Sequence, residues 1–142
     1  MAAVFKPNPP NTDAGSALDR AGICVSAVCL VQCLLLPVLV LVSPLGSLGF
    51  FGEEAFHWLL WFLILPISMA AFGLGFRQHG NRRMLVLGGL GLALVSFSTF
   101  FGHELLGTLG TALVTSLGGG LLITGHWLNL RQRRRYCLRT GD

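Results

Sequence analysis

The sequence predicts an all-α polytopic membrane protein, a four-helix antiparallel bundle with both termini in the cytoplasm. Three observations predict it. The chain is 53% hydrophobic and only 11% charged, against about 25% charged residues in an ordinary soluble domain. Four separate stretches are long and apolar enough for a helix of about 20 residues to cross the hydrocarbon core. All ten basic side chains fall on one side of a four-span arrangement.

The first 17 residues carry Pro, Asn, Asp and Gly with no apolar core after Lys6. They read as a disordered cytoplasmic tail rather than a cleaved signal peptide. The membrane domain is expected over residues 18–130, with spans at about 21–42, 56–76, 84–101 and 105–128, and residues 131–142 form a basic cytoplasmic tail. The connections "SPLGSLGFFGEEA", "RQHGNRR" and "GHE" are short, which favours up-down-up-down order and makes spans three and four a helical hairpin. Lys6 and Arg20 precede span one. Arg77, Arg82 and Arg83 lie in the second connection, and the remaining five arginines follow span four. The first and third connections hold Glu53, Glu54 and Glu104 without a Lys or Arg. An excess of basic residues marks cytoplasmic segments, so both termini of this multi-pass protein are expected in the cytoplasm. The net charge of +4 serves orientation and contact with anionic lipid, and does not indicate a nucleic-acid partner.

Lipid gives helices no hydrophobic reason to associate, so small residues must bring the backbones close. Span four offers Thr108, Ala112, Ser116, Gly120 and Thr124 at four-residue spacing as a packing ridge. Span three offers Gly88, Gly89, Gly91 and Ala93, and span two Ala70, Ala71, Gly73 and Gly75. "GGG" at 118–120 is either part of such a face or a hinge.

Chemistry concentrates in "CVSAVCLVQCLLLP", residues 24–37. Cys29 and Cys33 are four apart and share a helix face, with Ser26 on the same side and Gln32 bordering it. Cys24 points elsewhere. Pro37 cannot donate to the Cys33 carbonyl and is expected to bend the helix there. Two thiolates suit a soft ion, whereas zinc requires four ligands. The same spacing also suits two small core cysteines. Cys137 sits among arginines, which favour a thiolate, as a candidate cytoplasmic acceptor. His57 and His103 fall at the outer ends of the spans, His79 and His126 at the inner ends. They are accessory ligand candidates or interfacial hydrogen-bonding groups, and Asn129 lies one turn from His126.

"CLVQCLLLP", "EEAFHWLLWFLILPISMAAFGLGFRQHG" and "ITGHWLNLRQRRR", in that order over residues 18–135, resemble the MerC mercury-resistance membrane proteins. The resemblance implies a four-span inner-membrane bundle that takes up mercuric ion through paired cysteines in the first span. Here those positions are Cys29 and Cys33. It departs at Gln32, where many relatives carry His, and in the tail, where Cys137 stands without a second cysteine.

The function expected is therefore membrane transport of mercuric or another soft thiophilic ion. No enzyme activity and no resident cofactor are expected. The partners are the bilayer, the ion, a second copy of the chain and a cytoplasmic thiol acceptor. A structural or partner-binding membrane protein with packing cysteines is the alternative. A quinone-coupled thiol oxidoreductase is disfavoured, because the expected outer connections contain no cysteine.

Overall fold

Glycine and asparagine punctuate the chain at Gly80, Asn81 and Gly107, between its last three helices. In the computed structural model the described backbone covers residues 11–42 and 54–140, with side chains described at 13–35, 57–102, 104–136 and 138. Helix α1 is Asn11–Val42 and α2 is Glu54–His79. The helical stretch Arg82–Thr140 is broken at Gly107, giving α3 (residues 82–106) and α4 (residues 108–140). No strand occurs among the described residues. Four helices are long and apolar enough to cross a membrane: Asp13–Leu35, His57–His79, Arg82–Gly102 and Glu104–Tyr136. This is a multi-pass α-helical membrane protein.

The turn between α2 and α3 is two residues long. Gly80 takes φ 64°, and its N–H donates to the Phe76 carbonyl at 2.8 Å, a left-handed C-terminal cap that glycine adopts without Cβ strain. Asn81 then accepts from the Arg83 N–H through Oδ1 at 2.9 Å, capping the start of α3.

The reversal between α3 and α4 comes at Gly107, later than the expected "GHE". There φ is 64° and ψ is −178°, a backbone region that is essentially glycine's own. His103 and Glu104 have no such freedom and stay helical. The helices then run back along each other. Gly102 meets Thr111, Ser98 meets Thr115, Gly118 meets Val95 and Gly125 meets Gly88.

α1 begins at Asn11, inside the expected tail. Over residues 11–17 the chain is helical, with Asp13 in the first turn, where a negative side chain complements the helix dipole. Residues 1–10 of the expected tail and residues 43–53 of the first connection lie outside the described residues. The helical backbone runs through Pro37, whose side chain also lies outside them. At the other end, α4 continues through much of the expected basic tail.

α1 and α3 each bury a stripe that alternates steps of four and three: Gly15, Asp19, Gly22, Ser26, Cys29 and Cys33 on α1; Met84, Gly88, Gly91, Val95, Ser98 and Gly102 on α3. A mean step near 3.5 keeps a stripe on its neighbour when helices cross at a shallow angle. The packing face of α4 is not the expected ridge. Thr108 and Thr124 are exposed and nothing lies within 4 Å of a Cβ at Gly120. The buried face carries Thr115, Gly118, Leu122, His126, Asn129 and Arg133. Polar groups here must turn inward to find partners, and they set the rotation of the helix. Of the other expected small-residue faces, Ala71, Gly75, Gly88 and Gly91 are buried, whereas Ala70, Gly73, Gly89 and Ala93 are exposed. Gly118 and Gly119 pack against α3 and α1, respectively, whereas Gly120 touches neither, so two of the three glycines belong to a packing face.

Candidate functional site

Two polar centres lie along the α1 stripe. The first is the thiol pair. Cys29 and Cys33 are 3% and 4% exposed, and they lie 4.2 Å apart. Both are free thiols; their separation is well beyond an S–S bond of about 2.05 Å. Nε2 of His57, at the start of α2, is 3.7 Å from Sγ of Cys33. Thr115 of α4 also reaches Cys33 with its hydroxyl. That hydroxyl is tied to Ser98 of α3, so all four helices contribute to the surroundings of Cys33. Gln32 is half-buried beside the pair, and Cys24 is exposed on another face. Among the described residues no three His, Cys, Asp or Glu side chains gather as a metal-binding group. The arrangement offers two sulfurs with one imidazole next to them, which suits an ion content with few soft ligands.

The aromatic side chains Trp58, Trp61 and Phe100 pack edge to face near this end, with centroids 5.1–6.1 Å apart. Trp61 Nε1 donates to Ser96 at 3.0 Å. Tryptophan with one apolar and one hydrogen-bonding side is common at a membrane–water boundary.

The second centre lies at the end of the bundle that carries both described termini. Asp19 of α1 is fully buried. Its Oδ1 accepts from His126 Nδ1 at 3.0 Å, its Oδ2 accepts from Arg133 Nε at 3.1 Å, and Asn129 Nδ2 donates to both oxygens at 2.8 and 2.9 Å. A carboxylate only accepts, so the His126 ring carries its proton on Nδ1. Its other nitrogen meets the Ser68 hydroxyl at 3.2 Å, and Phe72 stacks on the ring. Asn129 also donates to the Ala71 carbonyl at 3.0 Å, and its Oδ1 accepts from His79 Nε2 at 2.8 Å. Nδ1 of His79 accepts the Asn81 N–H at 3.3 Å. That fixes His79 as the neutral Nε2–H tautomer. Arg133 reaches the Ala71 carbonyl and the Gln78 side chain.

Glycines make room for this cluster. A Cβ on Gly15 would lie 2.1 Å from the Arg133 guanidinium, one on Gly22 2.4 Å from the His126 ring, and one on Gly75 1.9 Å from Asn129. The side chains of α4 are seated where α1 and α2 have none.

Residues 19–131 match the family described as MerC mercury resistance protein. The chain belongs to the MerC family. No curated protein and no solved structure matches it. The MerC match begins at Asp19 and includes both thiols, His57, His79, His126 and Asn129, and it ends two residues before Arg133.

The structure joins His57 to the thiol pair and links His79 to His126 through Asn129 and Asp19. The side chains of His103 and Cys137, candidates at opposite ends, lie outside the described residues. Sequence reasoning missed Asp19 and Arg133. Arg133 reads as one of the basic residues after span four and Asp19 carries no motif, yet they are 3% and 0% exposed. The available signal was Gly15, Asp19 and Gly22 on one helical face, an acid between two glycines in line with Cys29.

Proposed function

We propose that this MerC protein transports mercuric or another soft thiophilic ion across a bacterial inner membrane, receiving it at Cys29 and Cys33. The observation that carries the reading is the buried thiol pair, 4.2 Å apart, with His57 Nε2 3.7 Å from Cys33. Two metal–sulfur bonds of about 2.3 Å, the length found for zinc thiolates, span roughly 4.6 Å. A two-coordinate ion would therefore need only a small widening of the pair. Binding to thiols displaces their protons, and His57 is placed to accept the one from Cys33. Family membership supports the identity of the ion. The basic residues flanking the spans support cytoplasmic termini, so that His57 and Cys33 lie toward the outer face. Cys137, in the cytoplasmic tail, would take part in transfer to a cytoplasmic thiol acceptor.

The test is mercuric uptake by cells expressing wild type, Cys29→Ser or Cys33→Ser at matched membrane abundance. Either substitution should reduce uptake to the level of cells without the protein. Normal uptake with one thiol missing would remove the paired site from the mechanism and favour cysteines that only pack.

A further inference from the structure

The cluster around Asp19 lies apart from the thiol pair, yet it stands in line with it. It lies ten residues from Cys29 along α1, about 15 Å at 1.5 Å per residue. Between them is Ser26, whose buried hydroxyl has no hydrogen-bond partner among the described residues. Gly22 abuts the His126 ring, so His126, Ser26, Cys29 and Cys33 follow one another up a single face of α1. A buried ion pair is weak grounds for stability, because desolvation offsets much of its attraction. Ionisable side chains inside a span usually serve a pathway.

We propose that Asp19 and Arg133, backed by His126 and Asn129, form the gate that closes the terminal end of the ion route. The pair ties α1 to α4. Arg133 and Asn129 also fasten α4 to α2 through the Ala71 carbonyl. The glycines at 15, 22 and 75 let these side chains fill the space between helices instead of leaving a channel. Ser26 lies on the closed side of that plug, where a buried hydroxyl without a partner suits an ion or water in passage. Opening the Asp19–Arg133 contact separates α1 from α4 and connects Cys29 to the terminal side. The inference rests on the transport reading of the thiol pair, but its test does not require transport.

The test measures reaction of Cys29 and Cys33 with a charged methanethiosulfonate applied from the side carrying the termini. The background is Cys24→Ser/Cys137→Ser, and labelling of Cys137 in the unsubstituted chain establishes the sidedness of the vesicles. Asp19→Asn/Arg133→Gln removes both charges together. Gln78→Ala removes one Arg133 contact from a half-buried position and serves if the double variant does not fold. The labelling rate should rise roughly tenfold or more in the double variant, the scale of a shift from a mostly closed population, and by a smaller factor in Gln78→Ala. Unchanged labelling in a folded double variant overturns the gate, and so does unchanged labelling in Gln78→Ala if the double variant does not fold. Faster labelling together with absent mercuric uptake in the unsubstituted protein would keep the gate and refute the transport reading. Uptake that depends on the thiols, with unchanged labelling, would do the reverse.

Discussion

Replacing Gly75 with alanine should unfasten the polar cluster. A Cβ at that position would sit 1.9 Å from Oδ1, 2.7 Å from Cγ and 2.8 Å from Nδ2 of Asn129. The amide would have to retreat by about 1.5 Å to reach ordinary contact distance. Its bonds to Asp19, the Ala71 carbonyl and His79 are 2.8–3.0 Å long, and they cannot all survive that movement. A hydrogen bond to a charged group contributes about 1.5–3 kcal/mol, and leaving a buried partner unsatisfied costs about 1–3 kcal/mol. Gly75→Ala should therefore destabilise the protein by about 3–5 kcal/mol. Gly73→Ala, two residues away on the same helix, is the control. Nothing lies within 4 Å of its Cβ, and helix propensity favours alanine there by up to about 1 kcal/mol. Unfolding by detergent titration, followed by helical circular dichroism, would compare the two. Stabilities of Gly75→Ala and Gly73→Ala within experimental scatter of each other would refute the seating of Asn129 against α2.

Other perturbations separate the centres. Arg133→Met should cost about 3–5 kcal/mol by leaving Asp19 buried without its cation, and Asp19→Leu/Arg133→Met should recover much of that loss; a double-mutant cycle in the same titration reads the coupling. Gly107→Ala should cost about 1–3 kcal/mol, because an L side chain resists the combination of φ 64° and ψ −178°, whereas Gly120→Ala should change little. Cys24→Ser should leave mercuric binding by the purified protein unaltered, since the residue is exposed away from the pair. His57→Ala should weaken that binding by about tenfold, the lower range for loss of a supporting contact at a metal site, read by equilibrium titration.

Much of this architecture is legible in the sequence because the bilayer imposes a length and a polarity on each span. The four helices and the shared face of Cys29 and Cys33 follow from that constraint and from helical spacing. The polar residues of "GHE" suggest a connection there, a few residues before the turn at Gly107. The chain instead reverses at a glycine that can adopt positive φ. The small-residue ridge on α4 does not single out the packing face, because four-residue spacing of small side chains recurs around that helix. The choice of face depends on the partners of His126, Asn129 and Arg133, and those partners lie on other helices. Asp19 and Arg133 are 114 positions apart, and only the packed bundle brings their charges together. Local pattern puts Arg133 beyond the edge of a span, where charges ordinarily meet water or lipid headgroups, and gives Asp19 no partner.

Reconstitution into sealed vesicles gives the most direct measurement. Mercuric-ion uptake by purified wild type would be compared with that by Cys29→Ser/Cys33→Ser at equal protein incorporation. Transport through the thiol pair predicts time-dependent accumulation with wild type and none above empty vesicles with the double variant. Equal accumulation by the two proteins would contradict it, and the cysteines would then be packing residues in a bundle that carries its ion elsewhere.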